Sequence, residues 1–226
     1  MNSKIVSIRE VAKDIREFKI QLDQPIRFIA GQYVMLMFED KSKFRKAYSV
    51  STYNAMDKTI TLYIKLAGEF THKLFSLKIL DNLFVYGPYG KFILRQNRKL
   101  MFIAGGIGIV PLYSMINSLV NGQGFNDLRV YYACRYENEM ALRSELEFLN
   151  KNNNINNVHV KLYFTREGSK ERFKIEDVTS VKGFLDYDYF VCGPEVMMNE
   201  LVSELKIIGV PEEQIYKESF IMKPRS

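Results

Sequence analysis

The sequence predicts a two-part molecule of the β + α/β class: a small β-barrel over residues 1–96, then a parallel-sheet α/β domain over residues 97–226. Three observations predict it. The first hundred residues are short alternating or apolar runs separated by turn residues, with one helical segment among them. From Lys99 onward, short apolar runs alternate with longer amphipathic ones, which is the order of βαβ units. Between the two textures lies the polar, basic stretch 95–99. A chain of 226 residues has room for one large domain or two small ones.

Each element has its own reason. Residues 18–22 alternate apolar with polar, as a half-buried strand requires, and 33–38 form a continuous apolar run that suits a buried one. Residues 59–64 alternate again and are rich in β-branched side chains. Residues 71–77 read as a short helix with Thr71 as its N-terminal cap and Leu74 and Phe75 at helical spacing. An all-β half with one helix suggests a barrel. In the second half, 100–104, 130–133, 158–164 and 187–192 read as strands, and 112–120, 144–149 and 196–208 as helices. The asparagine-rich stretch 150–157 reads as a solvated loop.

Composition narrows the function classes. Hydrophobic residues are 47% and charged residues 26%, an ordinary globular balance. No apolar run approaches the roughly 18 residues of a membrane span. Residues 1–17 are interrupted by charges and contain no signal-peptide core, so the expected location is cytoplasmic. Cys134, Cys192, His72 and His159 show no metal-ligand spacing, so neither a zinc site nor an iron–sulfur cluster bound by this chain alone is expected. A net charge of +6 attracts acidic partners but is too dispersed to indicate nucleic acid.

Two glycine-containing turns carry the chemistry. Ala104-Gly105-Gly106-Ile107-Gly108-Ile109-Val110-Pro111 follows an apolar strand and opens a helix. Glycines there let backbone N–H groups approach a pyrophosphate, and the helix N-terminus adds partial positive charge. Pro111 stands where the last glycine of the Rossmann fingerprint belongs, so phosphate binding and a plain tight turn both stay open. Phe190-Val191-Cys192-Gly193-Pro194-Glu195 again joins strand to helix. Ligands of open α/β sheets collect at the carboxyl ends of strands, so both turns could line one crevice.

With these pieces placed, the chain resembles the ferredoxin–NADP reductase superfamily of flavin-dependent NAD(P)H reductases. The resemblance spans nearly the whole sequence in the family's order. Phe28-Ile29-Ala30-Gly31-Gln32 looks like its FxxGQ segment, and Lys46-Ala47-Tyr48-Ser49 like its Arg-x-Tyr-Ser flavin motif. Gly68-Glu69-Phe70-Thr71 resembles its pyrophosphate turn, and Gly87-Pro88-Tyr89-Gly90 its GPxG turn. Gly105 to Pro111 resembles its GGxGxxP loop, Cys192-Gly193-Pro194 its CGP motif, and Glu218-Ser219-Phe220 its C-terminal ending.

The resemblance implies an antiparallel flavin-binding β-barrel followed by a nucleotide-binding α/β domain, with bound FAD and NADPH or NADH as cosubstrate. It places Tyr48 against the isoalloxazine, the Ser49 hydroxyl at flavin N5 and the Thr71 hydroxyl on the pyrophosphate. Cys192 comes beside nicotinamide C4, Glu218 completes a polar cluster, and Phe220 covers one flavin face. One departure stands out. The motif arginine is Lys46, with Arg45 one residue earlier on the opposite face of the strand, and a lysine makes no bidentate fork. FMN or an exchangeable flavin is therefore the alternative to FAD. Thr165-Arg166-Glu167 resembles a segment of NADPH-using relatives, with Lys170 and Arg172 nearby and Arg135 able to serve either nucleotide. Lys41, Lys43, Arg45 and Lys46 suit an acidic ferredoxin or flavodoxin as electron acceptor. Three further readings stay open: a reductase of free flavin, an electron-transfer subunit of a larger redox complex, and a nucleotide-binding regulator without turnover. Dihydroorotate dehydrogenase-type relatives often carry a C-terminal cysteine cluster, which the sequence to Ser226 does not show.

Overall fold

The computed structural model describes residues 1–95, 98–152, 155, 157–168 and 171–219. The expected domain boundary at 96/97 therefore lies outside the described residues, as do Lys170, Phe220 and part of the 150–157 loop. Seven strands form the first sheet: β1 (Asn2–Ala12), β2 (Ile15–Leu22), β3 (Tyr33–Met37), β4 (Arg45–Ser49), β5 (Thr52–Asn54), β6 (Thr59–Lys65) and β7 (Asn82–Tyr89). Their order is β4-β3-β7-β1-β2-β6-β5, antiparallel throughout. The outermost strands, β4 and β5, are separated in the chain only by Val50 and Ser51, so the sheet must curl back on itself. The Val50 N–H donates to the Gln32 carbonyl at 3.0 Å and the Ser51 N–H to the Thr61 carbonyl at 2.9 Å. These bonds close the barrel and leave no free edge there.

Alternation fills the interior. Phe18, Ile20 and Leu22 of β2 meet Ile60, Leu62 and Ile64 of β6 in one core. Phe70 and Leu74, four apart on α1 (Glu69–Phe75), join that core from the helix. The helix opens two residues before its predicted start, with Gly68 rather than Thr71 at the N-cap. Thr71 sits in the first turn, where its Oγ1 accepts the Ala67 N–H at 2.7 Å and donates to the Gly68 carbonyl at 2.8 Å. Its hydroxyl ties the turn that precedes the helix.

Five parallel strands form the second sheet: β8 (Lys99–Gly105), β9 (Asp127–Cys134), β10 (Val158–Phe164), β11 (Asp188–Gly193) and β12 (Ile215–Ser219), in the order β10-β9-β8-β11-β12. Helices cover both faces, as parallel sheets require. Leu112 and Met115 of α2 (Ile109–Ser118) and Leu146 of α3 (Arg143–Lys151) pack with Phe102, Val130 and Phe190. On the other face, Val178 of α4 (Ile175–Thr179) and Met198, Leu201 and Leu205 of α5 (Glu195–Ile207) pack with Met101, Ile103 and Val191. The chain leaves β8 toward β9 and β10, then returns to the other side of β8 as β11. That reversal makes the β8/β11 junction the switch point of the sheet.

The two sheets share a core. Ile15, Tyr63 and Phe92 belong to the same apolar cluster as Phe102 and Leu112. Lys65 pairs with Glu139 at 3.5 Å, and the Lys13 N–H donates to the Asn138 carbonyl at 2.7 Å. No described helix is long and apolar enough to cross a membrane.

Candidate active site

The glycines of the two turns divide by what surrounds them. A methyl group added at Gly108 would stand 2.3 Å from the Cys192 carbonyl oxygen and 2.8 Å from the Gly193 nitrogen. One at Gly193 would meet the Gly105 nitrogen at 3.0 Å, and one at Gly105 would meet Met197 Sδ at 2.6 Å and Pro194 Cδ at 2.9 Å. The turns after β8 and β11 are thus locked backbone to backbone across the switch point, with Met197 as their lid. Gly106 differs: at φ +54 it has nothing within 4 Å of the added methyl. Of this set it is the glycine that faces open space, where a ligand's phosphates can approach the backbone. Pro111 lies in the first turn of α2, where its missing N–H leaves no helical bond unmade.

Beside the lock, register places Cys192 directly opposite Glu218 on β12, with Ala104 of β8 on its other side. Cys192 is fully buried, and burial, then the neighbouring Glu218 charge, push its thiol well above the ordinary range. It is a neutral thiol and a soft packing surface, not a nucleophile. Burial raises the Glu218 carboxyl to about 7, and its Oε2 has no hydrogen-bond partner among the described residues. A half-buried carboxyl with its inner oxygen Oε2 unpartnered, next to a fully packed thiol, is a group prepared for an incoming polar partner.

A second group sits on the barrel. In the β3–β4 register Lys46 lies opposite Leu36 and Tyr48 opposite Val34, while Arg45 and Ser49 lie opposite Met37 and Tyr33. Lys46 and Tyr48 therefore share one face, and Arg45 and Ser49 the other. Ser49 is buried, Tyr48 is half-buried with its hydroxyl pushed up by burial, and Arg45 and Lys46 are exposed. The Tyr48 ring lies 6.0 Å from that of Phe70 on α1. Gly68, at φ +99, opens to empty space like Gly106. The Thr71 hydroxyl is engaged within this turn, accepting the Ala67 N–H and donating to the Gly68 carbonyl, next to the first N–H groups of α1, which a helix leaves without helical partners.

A third group caps the far strands. The Thr165 N–H donates to the Cys134 carbonyl and the Arg166 N–H to the Arg135 carbonyl, both at 2.9 Å, joining the ends of β9 and β10. Arg135 and Arg166 are exposed and make no ion pair with a described residue, and Arg172 is exposed likewise. Glu167, by contrast, is turned back to accept the Glu137 N–H at 2.7 Å.

Sequence reading missed β12, and with it the strand register that brings Glu218 to Cys192; it also missed Met197 and the aromatic neighbours of Tyr48. Phe44, just before β4 and four residues from Tyr48, and the Met197-Met198 pair after Cys192-Gly193-Pro194 were the available signals. Open backbone at Gly68 and Gly106, together with a Glu218 Oε2 that has no partner among the described residues, fits a bound flavin and a nicotinamide nucleotide.

Comparison with known proteins agrees. Residues 2–93 match the oxidoreductase FAD-binding domain family, and residues 102–203 the oxidoreductase NAD-binding domain family. The probable dihydroorotate dehydrogenase B (NAD(+)) electron transfer subunit of Thermococcus kodakarensis is 30% identical over 223 residues, covering 96% of this chain and 85% of that protein. Two solved structures share the fold. The ferredoxin reductase in carbazole 1,9a-dioxygenase has a TM-score of 0.81 at 23% identity, covering 98% of this chain and 69% of that one. Ferredoxin-NADP+ reductase from Plasmodium falciparum with 2'P-AMP has a TM-score of 0.81 at 20% identity, covering 97% and 96%. With both halves matched in order and a relative aligned along nearly its whole length, the chain belongs to the ferredoxin–NADP reductase superfamily of FAD-binding oxidoreductases that oxidise NAD(P)H.

Proposed function

We propose that this chain takes hydride from NADPH, with NADH as the weaker donor, and passes electrons to an acidic one-electron acceptor such as a ferredoxin or flavodoxin. The observation that carries this reading is the switch-point lock of Gly105, Gly108 and Gly193, next to which the β11–β12 register sets Cys192 beside Glu218, whose Oε2 has no hydrogen-bond partner among the described residues. FAD, when bound, accepts hydride and returns electrons singly. The chain supplies binding and orientation. Tyr48 and Ser49 would hold the isoalloxazine, and the Gly68 turn and Lys46 its pyrophosphate, with Arg45 on the other face of β4. Gly106 would admit the nicotinamide nucleotide against backbone N–H groups, with Pro194 and Gly193 lining its far side. Glu218, its carboxyl raised by burial to about 7, would hydrogen-bond the entering carboxamide, and Cys192 would give the ring a packed floor.

Arg135, Arg166 and Arg172 support NADPH, since exposed guanidinium groups suit a 2'-phosphate. Lys41, Lys43, Arg45 and Lys46 are all exposed and without ion pairs among the described residues, which supports an acidic acceptor. The two family matches, ending at 93 and beginning at 102, support dividing the chain at 96/97. The proposed location is cytoplasmic, on the composition grounds given above. Identity to an electron transfer subunit supports a second reading, in which the acceptor is a tightly held partner subunit.

Stopped-flow reduction separates the donors: NADPH is expected to reduce the flavin faster than NADH at equal concentration. Reoxidation by an acidic ferredoxin should slow as salt rises. Equal donor rates would overturn the NADPH assignment, and a salt-independent reoxidation would overturn docking on the lysine-rich loop.

A further inference from the structure

The strand that carries Glu218 has a single neighbour in the sheet. β12 lies at the edge and pairs with β11 alone, over five residues of which Lys217 and Ser219 are exposed. Side chains must therefore seat it. Ile215 packs into the core on the α4 and α5 side, while Tyr216 packs into the core that the two sheets share. Alternation puts Tyr216 on the same face of β12 as Glu218, so it is the apolar anchor on the side of the carboxyl. Register sets Tyr216 directly opposite Phe190, just as it sets Glu218 opposite Cys192. The Tyr216 and Phe190 rings are stacked, with centroids 4.7 Å apart and planes at 27°. Phe190 is fully buried, and Phe92 and Phe102 meet it edge-on at 5.6 and 5.4 Å. Arg95 brings its guanidinium 5.4 Å from the centroid of Tyr216, a further attraction on that ring. Phe92 and Arg95 belong to the chain that leaves the barrel after β7. One aromatic column thus runs from that segment through β11 to β12, and packed aromatic pairs of this kind hold beyond the area they bury.

We propose that Tyr216 is a positioning residue for Glu218: its ring, stacked on Phe190, seats β12 on β11 and so holds the carboxyl beside Cys192 and out of water. The proposal rests on the role given to Glu218 above and names what maintains it. The titratable and charged groups around the carboxyl are Cys192 on β11, Tyr216 on its own strand and face, and Arg95 over that ring, while Lys217 points to the other face. Burial is what raises the carboxyl. A strand end that lifts away for want of its anchor admits water and returns the group toward its ordinary range.

Full-length holoprotein with carbon-13 at its glutamate side-chain carboxyls is titrated by NMR, the Glu218 signal being the one that Glu218→Gln removes. The same variants are then compared for the pH profile of flavin reduction by NADPH in single turnovers. Wild-type Glu218 is expected to titrate at about 7. Tyr216→Ala should lower that midpoint by about one unit or more, and Tyr216→Phe, which keeps the stack, should hold it within about half a unit. Tyr216→Thr, which keeps the strand preference without the ring, gives the same reading if the alanine variant does not fold. The reduction profile should move with the midpoint. A midpoint unmoved by loss of the ring would overturn the proposal. So would a fall in Tyr216→Phe as large as in Tyr216→Ala, which would assign the effect to the hydroxyl, or a wild-type Glu218 that titrates at its ordinary value. Midpoints that move as expected while the reduction profile stays fixed would uphold the positioning by Tyr216 and defeat instead the role given to Glu218 toward the nicotinamide.

Discussion

Adding one methyl group at Gly108 or at Gly106 separates the two jobs assigned to the glycine-rich turn. At Gly108 the new carbon would stand 2.3 and 2.6 Å from the carbonyl oxygen and carbon of Cys192 and 2.8 Å from the Gly193 nitrogen. All three are backbone atoms, so no side chain can swing aside. The β8 and β11 turns must part by about 1 Å to reach ordinary contact, and overpacking of this kind costs about 3 kcal/mol. For a chain of this length that lowers the melting temperature by about 6–12 °C. At Gly106 the carbon meets nothing within 4 Å, and only the φ of +54 resists it. That penalty is about 1 kcal/mol, or about 2–4 °C. The methyl would instead protrude where the nucleotide approaches, and NADP+ affinity should fall about tenfold or more, a loss of about 1.4 kcal/mol. Thermal melting by circular dichroism and calorimetric titration with NADP+ read the two effects. A Gly108→Ala protein that melts within about 2 °C of wild type would refute the lock. Unchanged NADP+ affinity in Gly106→Ala would refute the open approach.

Three other outcomes follow from the same geometry. Glu218 has a folded pKa of about 7, above its ordinary 4.5, so the folded state holds the extra proton in that window and wild-type stability falls as pH rises through it. Glu218→Gln should remove this slope and, after allowance for partial solvent access, stabilise the protein at pH 8 by about 1–2 kcal/mol, measured by denaturant melts across pH. Thr71→Val deletes the bonds to Ala67 and Gly68 and should cost about 1–2 kcal/mol by the same melts, with a matching loss of flavin affinity. Replacing Arg135 and Arg166 together by Ser should lower the rate of flavin reduction by NADPH and spare that by NADH, compared by single-turnover kinetics.

The parallel half was legible because its strands are short, rich in apolar residues and punctuated by glycine and proline; 158–164 coincides with β10 to the residue. The barrel was less so. β1 pairs on both sides yet escapes a period-two reading, because register shifts between Ile5 and Ser7 and between Glu10 and Ala12 break its alternation. β12 is an edge strand of five residues, half-exposed, and its sequence Ile-Tyr-Lys-Glu-Ser carries little hydrophobic signal. Missing it hid the neighbour of Cys192. The glycine motif was legible as a turn, but which glycine packs and which opens depends on β11, a strand some eighty residues away. Likewise, Thr71 was read as a cap because sequence shows the residue type and not the hydrogen bond it completes.

The central claim is that nicotinamide and flavin meet in this chain. Anaerobic titration of the purified holoprotein with NADPH, followed through the visible flavin absorption, tests it most directly. Bound flavin should bleach as NADPH approaches one equivalent. Flavin that stays oxidised in excess NADPH and excess NADH would contradict it.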